Sequence, residues 1–247
     1  MMPNILDFGL IFTQIPTLLA YLPVTLFITV FSMLFGVMLG LVVAVIKMHK
    51  IPVLSQLAAI FVSFIRGTPL LVQLYLSFYG IPVLLRYVNY LYDTNYNVNG
   101  ISPMIFVLIA FSLNEAAYNS ETIRAALQSV NKGQIEAAQS LGMTYSQLLR
   151  RIVIPEAFLV ALPNLGNTLI GLLKGTSLAF VCSVTEMTGR GKTLAGHSYR
   201  YFEVYISLAL IYWGLTIIIE LMVKYLEKRL TISDSANTPS YRRGKLL

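Results

Sequence analysis

The sequence predicts an all-α polytopic membrane protein, and three observations carry that reading. Of its 247 residues, 56% are hydrophobic and only 12% are charged, whereas a soluble domain carries about 25% charged residues. A spanning helix takes roughly 20 mostly apolar residues, and Phe8 to Ile46 holds no charge at all. The 18 Lys and Arg residues are clustered along the chain in the manner that sets orientation in a bilayer. Disorder and a single water-facing globule are excluded by the same figures. The lone cysteine, Cys182, offers no internal disulfide, and His49 and His197 show no metal-ligand spacing. Met1 to Asp7 lack the basic start of a cleaved signal peptide, so the apolar stretch that follows is expected to be retained.

Residues 1–16 are expected to form an external N-terminal segment, 17–230 the transmembrane domain, and 231–247 a basic cytoplasmic tail. The first span is expected from about Thr17 to Ile46, ended by Lys47-Met48-His49-Lys50. Gly36 and Gly40 within it form a small-xxx-small pair suited to close helix packing. The second span, Ile51 to Gly80, is interrupted at Arg66-Gly67-Thr68-Pro69, because proline removes a backbone donor and disfavours helical angles before it. Ile81 to Ser102, rich in Asn and Tyr, reads as a polar loop. Pro103 opens a third span to about Gln128, Pro155 a fourth to about Gly175, and Phe202 a fifth to about Tyr225.

With five spans, Lys47, Lys50, Arg124, Lys132, Arg150, Arg151 and the basic residues from Lys224 onward share one side. Lys and Arg favour the cytoplasm. The N-terminus is therefore expected outside and the C-terminus inside. A six-span reading would throw the basic stretch 124–151 outside. The basic balance is then a topology signal, and nucleic acid is not an expected partner.

The cytoplasmic segment 129–154 joins spans three and four. Gln134 to Leu141 contains good helix formers bounded by Gly133 and Gly142, the latter suited to the residue after a helix C-cap. Thr144 with Gln147 has the pattern of a capping box for a following helix. So short a helix is unstable in water alone and must dock against something. Ile135, Ala138 and Leu141 offer a small apolar stripe for that.

Glu136-Ala137-Ala138, three residues, Gly142, nine residues, Ile152, then Ile154-Pro155 resembles the EAA loop of permease subunits in ATP-binding-cassette importers. Ile154 stands where leucine is usual. Arg66-Gly67-Thr68-Pro69-Leu70-Leu71-Val72-Gln73, Ala117-Tyr118 with Glu121 and Arg124, Leu162-Pro163-Asn164-Leu165-Gly166-Asn167, and Lys174-Gly175-Thr176-Ser177-Leu178 are similar to the polar amino-acid (histidine/glutamine-type) branch. Gly175 stands where an acidic or amide residue is more usual. The resemblance covers most of Leu18 to Lys228. It implies a multi-pass bacterial cell-membrane protein that forms the pathway of an ATP-driven amino-acid importer. It also implies a coupling helix in the loop that fits a groove on a separate ATPase, with Glu136, Ala137, Ala138 and Gly142 as coupling residues. The implied partners are two ATPase subunits holding ATP and Mg, a second permease copy or a relative, and an extracytoplasmic amino-acid-binding protein. This chain is expected to bind no cofactor and to hydrolyse nothing. Gly191-Lys192-Thr193 lacks the glycine that a phosphate-binding loop needs five residues earlier, where Glu186 stands.

Ionisable residues inside a bilayer are costly and face partners or a pathway. Arg66, Asn114, Glu115, Tyr118, Glu121, Lys174, Thr176 and Ser177 are the candidate pathway residues. Two roles stay open for them. Arg66 with Glu115, or Glu121 with Arg124, would neutralise each other and hold helices in register, or they would meet the substrate. Parts of span two and of residues 171–181 are similar to branches handling sulfur-containing amino acids such as cystine. The competing class is an ion-gradient-driven secondary transporter. Such proteins usually carry an internal repeat, and the Glu-Ala-Ala pattern occurs once.

Overall fold

Helices follow one another along the whole of the computed structural model, which describes residues 6–231 and has no strand among them. In order they are α1 (Phe8–Leu19), α2 (Leu22–Met48), α3 (Leu54–Gly67), α4 (Leu70–Tyr92), α5 (Pro103–Ser129), α6 (Lys132–Ser140), α7 (Tyr145–Cys182), α8 (Met187–Ser198) and α9 (Tyr201–Thr231). The expected basic tail beyond Thr231 lies outside the described residues. By length and composition, α2, α4, α7 and α9 are able to cross a membrane. α5 has 27 residues, as many as α2, or roughly 40 Å at 1.5 Å per residue. Its polar side chains are mostly buried where it packs along α2 and α7. α5 is thus a fifth helix of spanning length, while the expected second span, Ile51 to Gly80, is divided between the shorter α3 and an α4 that begins at Leu70.

The burial pattern is inverted relative to a soluble protein. α2 buries Thr25, Thr29, Ser32, Gly36, Gly40 and Ala44, small residues recurring about every turn, and exposes Phe27, Val30, Leu34, Met38 and Val42. Lipid suits the outer face, and small side chains let the backbones of two helices approach. A Cβ at Gly36 would collide with Glu115 Cβ, and one at Gly40 would sit 3.1 Å from the Ala116 carbonyl oxygen. The expected glycine seam is therefore real, and its partner is α5 of the same chain.

Two helices extend beyond the bounds that the sequence predicts. α4 continues through Pro82 to Tyr92, so Ile81 to Tyr92 is helix, and the polar loop begins only at Asp93. α7 likewise starts at Tyr145 and passes through Pro155. Each proline lies just past a π-helical turn, Leu76–Gly80 or Leu149–Val153. A proline clashes with the carbonyl four residues back, here that of Phe78 or Arg151, and both of those fall inside the widened turn. The wider turn makes room for the ring and the helix survives. At its far end α7 runs past Gly175, tightening to a 3-10 helix over Thr176–Cys182.

Part of the N-terminal segment is itself helical. α1 is capped by Asp7, whose carboxylate accepts from Leu10 N at 3.1 Å. It packs on α8 and α9 through Leu18, Met187, Ala195, Val204 and Leu208. A second cluster, including Ile28, Leu74, Val107, Phe111, Leu172 and Cys182, joins α2, α4, α5 and α7. A third, including Ala126, Val130, Ala138, Leu148 and Val153, ties the 129–154 loop to α5 and α7. Glu186 caps α8 through Thr188 N (2.9 Å) and Gly189 N (2.8 Å) and also accepts from the hydroxyls of Thr25 and Tyr212. One buried carboxylate thus ties α2, α8 and α9. Gly191-Lys192-Thr193 lies within α8, with Gly191 buried against Leu208, so it forms no phosphate-binding loop.

Gly36→Val should destabilise the protein by about 1–3 kcal/mol through overpacking of the α2–α5 seam. Gly214→Ala, where a Cβ meets nothing within 4 Å, should not. Thermal unfolding of both variants in one detergent checks this; equal melting temperatures would show that the seam tolerates a side chain.

Candidate functional site

The loop helix α6 is built by its ends. Asn131 caps it, its side-chain oxygen accepting from Gly133 N at 2.8 Å. At the other end Gly142 takes φ +76°, a left-handed conformation that glycine adopts without steric cost. Gly142 N donates to Gln139 O (2.9 Å) and Met143 N to Ala138 O (3.1 Å), the paired bonds of a Schellman motif. The expected capping box also forms: Gln147 Oε1 accepts from Thr144 N at 2.9 Å, and Thr144 Oγ1 accepts from Gln147 N at 3.4 Å.

Docking of α6 is slight. Ala138 is buried and Ile135 half-buried against the chain's own α5 and α7, a contact worth on the order of 2 kcal/mol. Two expectations are corrected here. Ala138 is covered by its own chain and presents no surface to a partner. Leu141 does not join the docked stripe but stands 81% exposed, because the chain turns sharply at Gly142 just beyond it. Glu136, Ala137 and Gly142 are exposed. Leu141 extends the free surface that they begin.

The second site lies along the helices. The break between α3 and α4 leaves the last carbonyls of α3 without helical donors, and Gln73 supplies them. Its side-chain N–H group donates to Ile65 O (2.7 Å), Thr68 O (3.1 Å) and Thr68 Oγ1 (2.9 Å). Its carbonyl oxygen accepts from Asn114 Nδ2 at 2.9 Å, locking the break to α5. The expected Arg66–Glu115 pair does not form. Arg66 is exposed, with its guanidinium over the Tyr118 ring at 5.4 Å. Glu115 is turned into the glycine seam, where one carboxyl oxygen has no partner. Helical phase is the reason: Tyr118 lies on the exposed side of α5, and Glu115 on the side facing α2.

Glu121 does pair with Arg124, at 2.7 Å, and also with Lys47 of α2. The sequence marks Lys47 as the end of the first span and as a charge on the same side as Arg124, and the structure adds its pairing with Glu121. Lys174 is exposed and Ser177 half-buried, while Thr176 is buried and donates to Leu173 O at 2.6 Å. A Cβ at Gly175 would lie 3.7 Å from Leu70 and 3.6 Å from Phe111, so this end of α7 adjoins the α3–α4 break. Arg66 and Tyr118 are exposed together, with Asn114 one turn below Tyr118 on α5, and Lys174 is exposed on α7 next to Gly175.

Sequence reasoning missed the continuation of this surface. Asn164, Asn167, Gly171 and Lys174 recur every three or four residues along α7, and all are exposed. Asn164 donates to Thr122 Oγ1 of α5 at 2.6 Å. The spacing was readable, but apolar neighbours such as Leu165, Leu169 and Leu172 masked it. Next to the cations the surface is open, since a Cβ at Gly67 or Gly171 would meet nothing within 4 Å. The chain thus has two kinds of exposed flank: apolar on α2 and α9, where Trp213, Ile218 and Leu221 face out, and one on α3, α5 and α7 where Arg66, Tyr118, Asn164, Asn167 and Lys174 are exposed among apolar neighbours.

Comparison with known proteins follows this geometry closely. Residues 36–232 match the family model described as the inner membrane component of binding-protein-dependent transport systems. The L-cystine transport system permease protein TcyL of Bacillus subtilis is 43% identical over 229 residues, 93% of each chain. The probable amino-acid permease protein YxeN of the same organism is 42% identical over 92% of this chain and 97% of its own. Among solved structures, an amino acid ABC transporter crystallised with histidines is 34% identical, with a TM-score of 0.76 over 92% of this chain and 100% of that one.

Gln73→Leu should cost about 1–3 kcal/mol, because it strands buried carbonyls at the α3 end. Hydrogen exchange of the peptides covering 65–73 should accelerate while those in α2 hold steady. Unchanged exchange around the break would show that Gln73 is not its lock.

Proposed function

The chain belongs to the family of binding-protein-dependent transport system inner membrane components, and from that premise we propose that it forms half of the pathway of an ATP-driven importer for polar amino acids. Cystine is the leading substrate, supported by the likeness to the TcyL permease protein. The N-terminus faces outward and the C-terminus the cytoplasm. ATP and Mg are held by two separate ATPase subunits, and an extracytoplasmic receptor delivers the substrate.

The observation that carries this reading is the free face of α6. The helix is stiffened at both ends by caps, held to its own chain by one short apolar contact, and left with Glu136, Ala137 and Leu141 exposed. A rigid rod weakly seated on its own protein suits a groove on a moving partner. Glu136, Ala137, Leu141 and Gly142 are the proposed coupling residues, with Ala138 as the pivot beneath them. The polar flank of Arg66, Tyr118, Asn164, Asn167 and Lys174 is the proposed pathway wall, closed by a second permease subunit. Asn114 and Gln73 support it from behind. Glu115, Glu121 and Thr176 act structurally, since each is turned inward or already partnered.

The assembled complex in sealed vesicles provides the test. Uptake of labelled cystine should require ATP and a competent ATPase partner. Glu136→Lys and Gly142→Asp should leave the complex assembled and hydrolysing ATP while uptake falls by about tenfold or more, the loss of a contact worth some 1.4 kcal/mol. Normal uptake by both variants would remove the coupling assignment. Uptake that persists on an ion gradient with an inactive ATPase would favour the secondary-transporter reading.

A further inference from the structure

We propose that the last turns of α4 and the first turn of α5 hold one anionic phospholipid, its acyl chain between the two helices and its phosphate on Arg86. None of the residues involved belongs to the proposed pathway wall. The site needs only that the chain lies in a bilayer.

Two cavities of about 450 Å³ each lie at this end and share Arg86, Val98 and Asn99, so they adjoin. One is walled chiefly by Phe78, Tyr79, Val83, Ile101, Pro103 and Phe106. Ser77 Oγ fixes it to the first turn of α5 by donating to Phe106 O at 2.8 Å. The other is lined by Asn89, Asn95, Tyr96 and Asn97 together with the shared residues. An apolar half thus meets a polar half where α5 begins. Around the cleft Tyr79, Tyr87, Tyr90, Tyr92 and Tyr96 are all exposed, and tyrosine gathers at the level of lipid headgroups.

The polar half is a set of donors. Asn89 is occupied in folding the loop, accepting from Thr94 Oγ1 (2.9 Å) and Tyr96 N (3.1 Å) and donating to Tyr96 O (3.0 Å). Asn97 Oδ1 accepts from Gly100 N at 3.0 Å, and Asn99 Oδ1 accepts from Arg86 Nη2 at 3.1 Å. Both partners are N–H groups, so the amide oxygens are taken and the NH2 groups of Asn97 and Asn99 remain. Most of the Arg86 guanidinium remains with them. Asp93, the acid at this end of α4, lines neither cavity, and no carboxylate lies within 4.0 Å of Arg86 among the described residues.

A phosphodiester supplies what this half lacks, since its oxygens only accept and a guanidinium grips two of them at once. A free phosphate would leave the apolar half empty. A choline headgroup would bring a second cation to a place that already carries an uncompensated one, and like charges brought together are penalised. The arrangement therefore favours a lipid with net negative charge.

Native mass spectrometry of the purified permease–ATPase complex in mild detergent provides the test, with phosphatidylglycerol or phosphatidylcholine of the same chains added. Phosphatidylglycerol should bind at least about tenfold more tightly, the worth of one charge-assisted pairing, and should slow hydrogen exchange of peptides covering 86–101. Arg86→Gln should abolish that preference, and Val83→Gln, at an exposed position, should weaken both lipids. Lys192→Gln, whose ammonium lies over Phe180 away from the cleft, should change neither. Equal binding of the two lipids, or a preference that survives Arg86→Gln, would overturn the proposal. Displacement of the lipid by inorganic phosphate, with Val83→Gln silent, would reduce the cleft to a bare anion site and overturn it too. Displacement by cystine would assign the cleft to the pathway instead.

Discussion

A cation has no stable place against lipid tails, and everything distinctive about this chain follows from that constraint. Placing Arg or Lys at the centre of a spanning helix costs about 2.5–3.5 kcal/mol even by the gentlest scale. Arg66 and Lys174, with Asn164 and Asn167 also exposed on α7, would each carry part of that cost if lipid covered them. The same protein shows that it can present a lipid face, since α2 and α9 turn only apolar side chains outward over long stretches. In the proposed importer, a second permease subunit and enclosed water cover the flank that carries Arg66 and Lys174.

Rigid and yielding parts are distributed around that flank. α2 and α5 are pressed together at Gly36 and Gly40 with no room for a side chain, and proteins repack such contacts only in discrete steps. The α3–α4 break is locked by a single glutamine, and α6 sits on its chain by little more than Ile135 and Ala138. In the proposed importer, a push delivered at α6 meets a stiff α2–α5 unit, and the displacement collects at the break beside Arg66. The coupling loop and the pathway wall share α5 and α7, which contribute to both, so no long chain of intermediaries is needed between them.

Much of this was legible in the sequence, for identifiable reasons. Hydropathy reveals crossings because lipid leaves so few solutions for a polar backbone. Glycine at position 142 and the Thr144–Gln147 spacing reveal helix ends because their hydrogen bonds are local. Composition misled at 81–92, where a stretch rich in Asn and Tyr is helix, and Pro155, expected to open a span, lies inside a helix that starts at Tyr145; π-helical turns before Pro82 and Pro155 make room for the rings. Pairing of charges misled as well. Arg66 and Glu115 share a depth on paper, but Glu115 points along a different helical phase, into a seam defined by glycines eighty residues away in sequence. Lys47 reaching Glu121 was hidden for the same reason, since which faces of two helices meet is a property of packing. Leu141 and the α7 asparagine stripe needed the observed exposure to separate them from ordinary core and lipid positions.

Water accessibility along α7 tests the account most directly. Single cysteines at Asn167 and Lys174 and, for comparison, at Met38 and Ile218 of the apolar flank would be introduced with Cys182→Ser, then challenged with a membrane-impermeant, water-soluble maleimide in the assembled importer. The account predicts that Asn167→Cys and Lys174→Cys react, at rates that change when substrate or ATP is added, while Met38→Cys and Ile218→Cys stay unmodified. Inert cysteines at 167 and 174 in every state, or labelling at 38 and 218 just as fast, would contradict it.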